Sequence, residues 1–419
     1  MNLNRKFITL IIVLIFNQSC TLIYRGIRYG QPSIDAYKIF PNDTIHTGVP
    51  AFKFKDGNAA ILNKAILSPD DVKGIRTFPD SLPFTLDYFL NRTATTAFIV
   101  IRNDSIIFEK YYKGYDRGKI STIFSVSKSV TSLLVGLAVD GGYISSVNDP
   151  ITKYIPELKG RDPKFERLTV KYLLNMCTGL KFKESYTNPF QGMARYYYGV
   201  NQMRKIKKLK FENEPGVQFK YQSASTALLG IAVENATRMP LAKYLEEKIW
   251  KPLGMENEAS WSLDDNRHRI AKAYGGLNTT AIDLVKIGRL YLNNGNWNGK
   301  QIVSKAWVKN SVIPNVQGNG YQYQWYIVNS DMKENYPDST SALNAWNKPD
   351  NKFSKYHFSI WQDILEQDVW RIRIFYPCFY AFGFDGQELM VFPEKNLIMV
   401  RFGEGENFGS IMYLLSTRL

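Results

Sequence analysis

The chain has 419 residues, 45% of them hydrophobic and 22% charged. That balance excludes a largely disordered protein and leaves room for one large domain or two ordinary ones. The net charge of +15 admits nucleic acid, an anionic envelope surface or an acidic substrate as partner. The densest basic run, Arg-Lys-Ile-Lys-Lys-Leu-Lys at 204–210, reads as the solvated face of a helix or loop. No zinc-finger or RNA-binding aromatic signature accompanies it, so nucleic acid is not expected. The three cysteines (Cys20, Cys177, Cys378) form neither a disulfide framework nor a CxxC pair. The three histidines (His46, His268, His357) supply no HExxH zinc site, and no metal or organic cofactor is implied. No G-x-S-x-G elbow is present, and scarce histidine weakens any Ser-His-Asp arrangement.

In chain order, Arg5 and Lys6 precede an apolar run at 7–16, and Asn17-Gln18-Ser19-Cys20 follows. A positive start, a short apolar run and a small residue before the cut predict a signal peptide over 1–20. The run is shorter than the roughly 20 apolar residues of a spanning helix. The terminal cysteine resembles that of a bacterial lipoprotein signal, with lipid carried on Cys20 after cleavage. An uncleaved N-terminal anchor is the alternative. Either outcome places the rest of the chain in the cell envelope, outside the cytoplasm and held to the membrane at its N-terminus.

Residues 21–85 are punctuated by Pro32, Pro41, Pro50, Pro69, Pro79 and Pro83 and read as an extended lead-in. Residues 86–419 are then the main domain. Residues 96–112 predict a β-hairpin with Asn103-Asp104 at its turn. Over 125–140, apolar Val130, Leu133, Leu134, Leu137 and Ala138 recur at helical spacing, and Gly141-Gly142 ends the pattern. Most segments over 149–292 look helical, most clearly 168–176, 225–236, 241–250 and 281–292. The tail returns to strands at 370–375, 389–392 and 397–402, with a closing helix over 408–416. Strands at both ends around a helical middle imply an α+β fold: one antiparallel sheet built from both chain ends, flanked by helices, with a helical lobe beside it. A pocket between lobes is a usual place for chemistry.

The chemistry-bearing stretch is Phe-Ser-Val-Ser-Lys-Ser at 124–129. Residues i and i+3 share a helix face, so Ser125 at a helix start sets its hydroxyl beside the amine of Lys128. A serine alcohol needs such a base, and a lysine serves as one when burial or nearby positive charge lowers its pKa. The helix N-terminus adds N–H groups that favour a developing oxyanion. Alone, S-x-x-K is a weak signal, and a helix cap beside a surface lysine is the competing reading. A second match, Ser330 to Lys333, lies in a polar stretch and reads as chance.

Further stretches carry a resemblance. Leu-Thr-Val-Lys-Tyr-Leu-Leu-Asn-Met-Cys-Thr-Gly-Leu (168–180), Glu-Pro-Gly-Val-Gln-Phe-Lys-Tyr-Gln-Ser (214–223), Leu-Leu-Gly (228–230) and Trp-Lys-Pro-Leu-Gly-Met (250–255) follow in order. From about Phe84 onward the chain resembles serine hydrolases of the class C β-lactamase and penicillin-binding-protein superfamily. Residues 184–199, 259–264 and 294–303 look like its 6-aminohexanoate-dimer hydrolase type. The resemblance implies a β-lactamase-like fold with Ser125 as nucleophile and Lys128 and Tyr221 as proton-transfer groups. It also implies an oxyanion hole from the backbone N–H groups of Ser125 and Gln387. Ser223 stands where the family's Tyr-x-Asn element has asparagine. Phe384-Asp385-Gly386 stands where its third element commonly has Lys-Thr-Gly. Ser223, Tyr197, Phe384, Asp385 and Gly386 are therefore expected at the substrate, with Arg195 a further loop candidate.

The expected activity is hydrolysis of a small-molecule amide or carboxylic ester through an acyl-enzyme. Two alternatives stay open: a non-catalytic peptidoglycan- or envelope-binding module on the same fold, and a D,D-peptidase or β-lactamase. The missing third-element lysine, which would meet a β-lactam's carboxylate, argues against the last.

Overall fold

The computed structural model describes residues 21–72, 83–185, 192–315, 320–363, 369–405 and 407–419. The expected signal peptide and its Cys20 lie outside the described residues.

The β-hairpin forms from Thr95–Arg102 and Ser105–Tyr111. Its two turn residues, Asn103 and Asp104, both have positive φ, 50° and 58°. That is the geometry whose twist matches the flanking strands, and Asn and Asp tolerate it best after glycine. The hairpin joins an eight-stranded sheet in the order Tyr326–Asp331, Val369–Gly383, Gln387–Phe392, Leu397–Gly403, Thr95–Arg102, Ser105–Tyr111, Lys55–Asp56. The eighth strand, His357–Asp363, also pairs with Val369–Gly383. All pairings are antiparallel except that of Lys55–Asp56 with Ser105–Tyr111. The pairing of Leu397–Gly403 with Thr95–Arg102 unites the two ends of the chain, as expected.

The central strands are buried on both faces, and alternate side chains serve different layers. Ala97, Ile99, Ile101, Leu389, Val391, Ile398 and Val400 share one core with the helices Val126–Asp140 and Ala281–Leu292. Phe98, Val100, Met390, Phe392 and Met399 face the opposite way. There they meet Leu86 and Phe89 of Leu86–Arg92, and Ile411 and Leu415 of Gly409–Thr417. Each fully buried Leu or Ile contributes about 1.5–3 kcal/mol of transfer free energy, which makes these two layers the main stabilising term.

The Val126–Asp140 helix runs through the larger core, with Leu133, Leu134, Val135 and Ala138 all 0% exposed. Gly136 is required on it. A Cβ there would stand 2.5 Å from the indole of Trp307, so the glycine lets that ring lie on the helix backbone.

Several segments differ from the sequence expectation. The middle region is not wholly helical: Ala259–Ser262 and Leu277–Thr279 form a four-stranded sheet with Ser121–Thr122 and Asn42–Ile45. The N-terminal segment thus contributes Asn42–Ile45 to this sheet and Lys55–Asp56 to the large one. The helix expected over 241–250 is α-helical over Leu241–Leu245 and continues as a wider π turn over Glu246–Trp250. The strand expected over 370–375 extends over Val369–Gly383, and its far end brings Gly383 to the site. Ser330 lies on the strand Tyr326–Asp331, with its hydroxyl 2.9 Å from that of Tyr376, so the second S-x-x-K match opens no helix.

Candidate active site

Ser125 occupies the N-cap position of the Val126–Asp140 helix but makes no side-chain capping bond. Its Oγ instead accepts from Lys128 Nζ at 2.8 Å. A cap beside a surface lysine is thereby excluded. Lys128 is 1% exposed and also donates to the carbonyl of Tyr274 at 2.8 Å. Burial disfavours the ammonium form and lowers the Lys128 pKa to about 8, with the Glu184 carboxylate pulling the other way. Phe124, just before the serine, has φ of 45°, a conformation that non-glycine residues rarely adopt. The backbone therefore turns sharply from the strand Ser121–Thr122 into the helix and leaves Ser125 at the bend.

Tyr221 reaches the same place from a loop. Lys128 Nζ stands 5.1 Å from the centroid of its ring. The loop is fixed on the 168–180 stretch: Gly216 N–H donates to Cys177 O at 2.7 Å and Lys220 N–H to Met176 O at 2.9 Å. Gly216, with φ of 90°, lies close on the Tyr172 ring, where a Cβ would be 2.6 Å from a ring carbon. Two stretches that carried the resemblance are thus bonded to each other, and Tyr221 is placed by that contact. It stacks on Tyr326 (centroids 6.3 Å apart, 21° between planes) and meets the edge of Tyr321. Neither partner was foreseen; both come from a segment more than 90 residues downstream whose pattern carries no functional signature.

Ser223 is not open to a substrate. It is 1% exposed, and both its N–H and its hydroxyl donate to Glu184, at 2.7 and 2.6 Å. The carboxylate caps the start of the Ser223–Thr237 helix, where it meets the positive end of the helix dipole. Glu184 is thus a site residue that sequence reasoning missed, although it opens the 184–199 stretch.

Tyr197 is also corrected. It is 1% exposed and packs edge-on against Phe40 at 5.2 Å, so it is a core aromatic. Its neighbours Arg195 and Tyr196, on the Gly192–Tyr198 helix, are the ones that line a cavity beside Tyr221.

Phe384–Gly386 forms a single 3-10 turn rather than a strand. Phe384 meets Phe124 edge-on at 5.5 Å, which ties this turn to the bend before Ser125. Asp385 has φ of 60°, and burial raises its carboxyl pKa, with Glu404 adding to the effect. The buried Arg401 donates to the carbonyls of Asp385 (3.1 Å) and Gly386 (2.9 Å) and holds the turn closed. The Gln387 side chain is buried and bonds to Asp385 O and Gly403 O, a structural task. Gly383 lies against the backbone of Ser125. A Cβ at 383 would stand 2.4 Å from Ile123 O and 3.3 Å from Ser125 N. Ala381-Phe382-Gly383, immediately before the expected element, was the overlooked signal.

The cavity beside Tyr221 has a volume of about 610 Å³, and Glu184 and Lys205 also line it. Elsewhere Asp264, Asp265 and His268 lie close together. Asp264 accepts the N–H groups of Gln202 and Ile270, and Asp265 those of Asn201 and His268, so these carboxylates lock loops.

Comparison with known proteins bears on the family and the fold. The sequence profile of the Beta-lactamase family matches residues 88–408. A 6-aminohexanoate-dimer hydrolase from Paenarthrobacter ureafaciens is 24% identical over 368 residues, covering 81% of this chain and 91% of that protein. A solved structure from Bacillus anthracis, provisionally named a 6-aminohexanoate-dimer hydrolase, superposes with a TM-score of 0.66 at 21% identity, covering 92% of this chain and 91% of its own. An octameric penicillin-binding protein homologue from Pyrococcus abyssi superposes at 0.54 with 19% identity, over 79% of this chain and 75% of its own. The chain is a serine hydrolase of the β-lactamase family.

Proposed function

We propose that the enzyme cleaves a small-molecule amide or carboxylic ester through an acyl-enzyme on Ser125. The observation that carries this reading is the 2.8 Å bond between the Ser125 hydroxyl and a buried amine whose pKa is about 8. Near neutral pH a usable fraction of Lys128 is the free amine and can take the hydroxyl proton as Ser125 attacks the carbonyl carbon. The oxyanion receives N–H donors from Ser125 and from the turn that follows Gly383, over 384–387. Tyr221, beside Lys128, passes the proton to the departing amine or alcohol. Water then attacks the acyl carbon, with the same groups acting in reverse, and releases the acid.

A similar protein from Paenarthrobacter ureafaciens is named for hydrolysis of the 6-aminohexanoate dimer, which supports a linear amide among the substrates. The turn against Phe124 carries Phe384 and Asp385 instead of a cation, which disfavours a β-lactam carboxylate there. A purely binding module would have no use for a buried lysine aimed at a serine hydroxyl. We place the enzyme in the cell envelope, carried there by the N-terminal segment and anchored through Cys20.

The test is a panel of chromogenic esters and anilides with the wild type and Ser125→Ala. Turnover that disappears in the variant is expected; equal turnover by both proteins would overturn the reading.

A further inference from the structure

The basic run at 204–210 is largely solvated, with Arg204, Lys208 and Lys210 exposed, and it also helps to build the cavity beside Tyr221. Lys205, Lys208, Leu209 and Lys210 all line it. Lys181, whose N–H donates to Lys210 O at 2.8 Å, Lys183 and Arg195 line the same cavity. Lys220 and Glu212, also at the wall, form an ion pair with each other. The remaining carboxylate is Glu184, already bonded to Ser223. Among the described residues, six basic side chains and the Glu184 carboxylate therefore line, beside that ion pair, a space of about 610 Å³.

Lys205 adds a second, independent observation. Its Nζ is buried with no hydrogen-bond partner among the described residues, and the hydroxyl of Tyr196, on the same wall, is likewise buried without one. Burying a cation without a counter-charge is unfavourable. Burial lowers the Lys205 pKa to about 7, and Asp264, the larger opposing influence, only partly offsets this. An anion in the cavity would offset this charge through space, without touching the shielded Nζ.

We propose that this cavity binds a multiply charged anionic group on the leaving-group half of the substrate. The leaving-group side follows from Tyr221, which lines the cavity and is the residue assigned to protonate the departing atom, so the inference rests on the reading above. The substrate class is then an ester or amide whose alcohol or amine portion bears phosphate or several carboxylates. One carboxylate would balance only a small part of the wall's charge.

The experiment uses inorganic pyrophosphate as probe, with acetate and chloride at matched ionic strength as controls. Binding is measured by calorimetry on the Ser125→Ala protein, and inhibition of neutral-ester hydrolysis on the wild type. Pyrophosphate should bind and inhibit competitively where acetate and chloride do not. Lys208→Glu/Lys210→Glu should weaken pyrophosphate binding about tenfold or more, because each reversal turns an attraction into a repulsion. The same variant should lose preference for a phosphate-bearing over a neutral ester. Equal behaviour of pyrophosphate and acetate, or unchanged binding in the variant, would overturn the proposal. Pyrophosphate binding without esterase activity would sink the hydrolase reading but leave the anion site. Ser125-dependent hydrolysis without pyrophosphate binding would do the reverse.

Discussion

Glu184 accepts two hydrogen bonds from Ser223, one from its N–H and one from its hydroxyl, at 2.7 and 2.6 Å. The same carboxylate raises the pKa of Lys128, which burial otherwise pulls down. It therefore links the start of one helix to the proton affinity of the proposed base on another. Glu184→Gln keeps an acceptor but removes the charge, so the Lys128 pKa should fall further. The acid limb of the kcat/KM profile should move to lower pH than in the wild type. An unmoved limb would show that Glu184 does not tune the base.

In the wild type that acid limb should rise through about pH 8, where the proposed base Lys128 becomes the free amine. Stability carries the same signature. A buried amine whose folded pKa is lowered from 10.5 to about 8 binds fewer protons folded than unfolded between those values. Wild-type stability should thus climb with pH across this window, with the penalty fully present below it. Lys128→Met lacks this contribution, so its stability relative to the wild type should fall by about 3 kcal/mol between pH 7 and 10.5. Urea unfolding at the two pH values measures the difference.

Ser223→Ala removes a charge-assisted bond and leaves a half-buried carboxylate less well satisfied. A loss of about 1.5–3 kcal/mol is expected from chemical denaturation. A substrate-contacting serine would instead change KM with little effect on stability.

Gly383→Ala would press a Cβ against Ile123 O and the Ser125 backbone. The strand end must shift from the nucleophile, and an oxyanion donor with it. A fall in kcat of about 100-fold or more is expected, on the scale of losing one such donor.

The fold was legible where its signal is local. Asn103-Asp104 announces the β-hairpin turn, the apolar spacing after Ser125 announces the helix, and the helix Ala281–Leu292 has the bounds its pattern predicts. Contacts between distant segments leave no such local trace. Glu184 and Ser223 are 39 positions apart, and the strand Asn42–Ile45 pairs with one more than 200 residues away. Tyr197 and Tyr196 are indistinguishable by residue type, yet the helix that carries them turns Tyr196 to the cavity and Tyr197 to Phe40. The run at 204–210 is solvated surface at Arg204, Lys208 and Lys210, as its composition indicates, but sequence does not reveal that Lys205 turns inward beside Tyr196.

The central claim is that Ser125 is the nucleophile. Its most direct measurement is labelling with a fluorophosphonate probe followed by peptide mass mapping. The account predicts one probe adduct on the peptide containing Ser125, faster above pH 8 than at pH 6 and absent from Ser125→Ala. An adduct on another serine, or labelling that persists in Ser125→Ala, would contradict it.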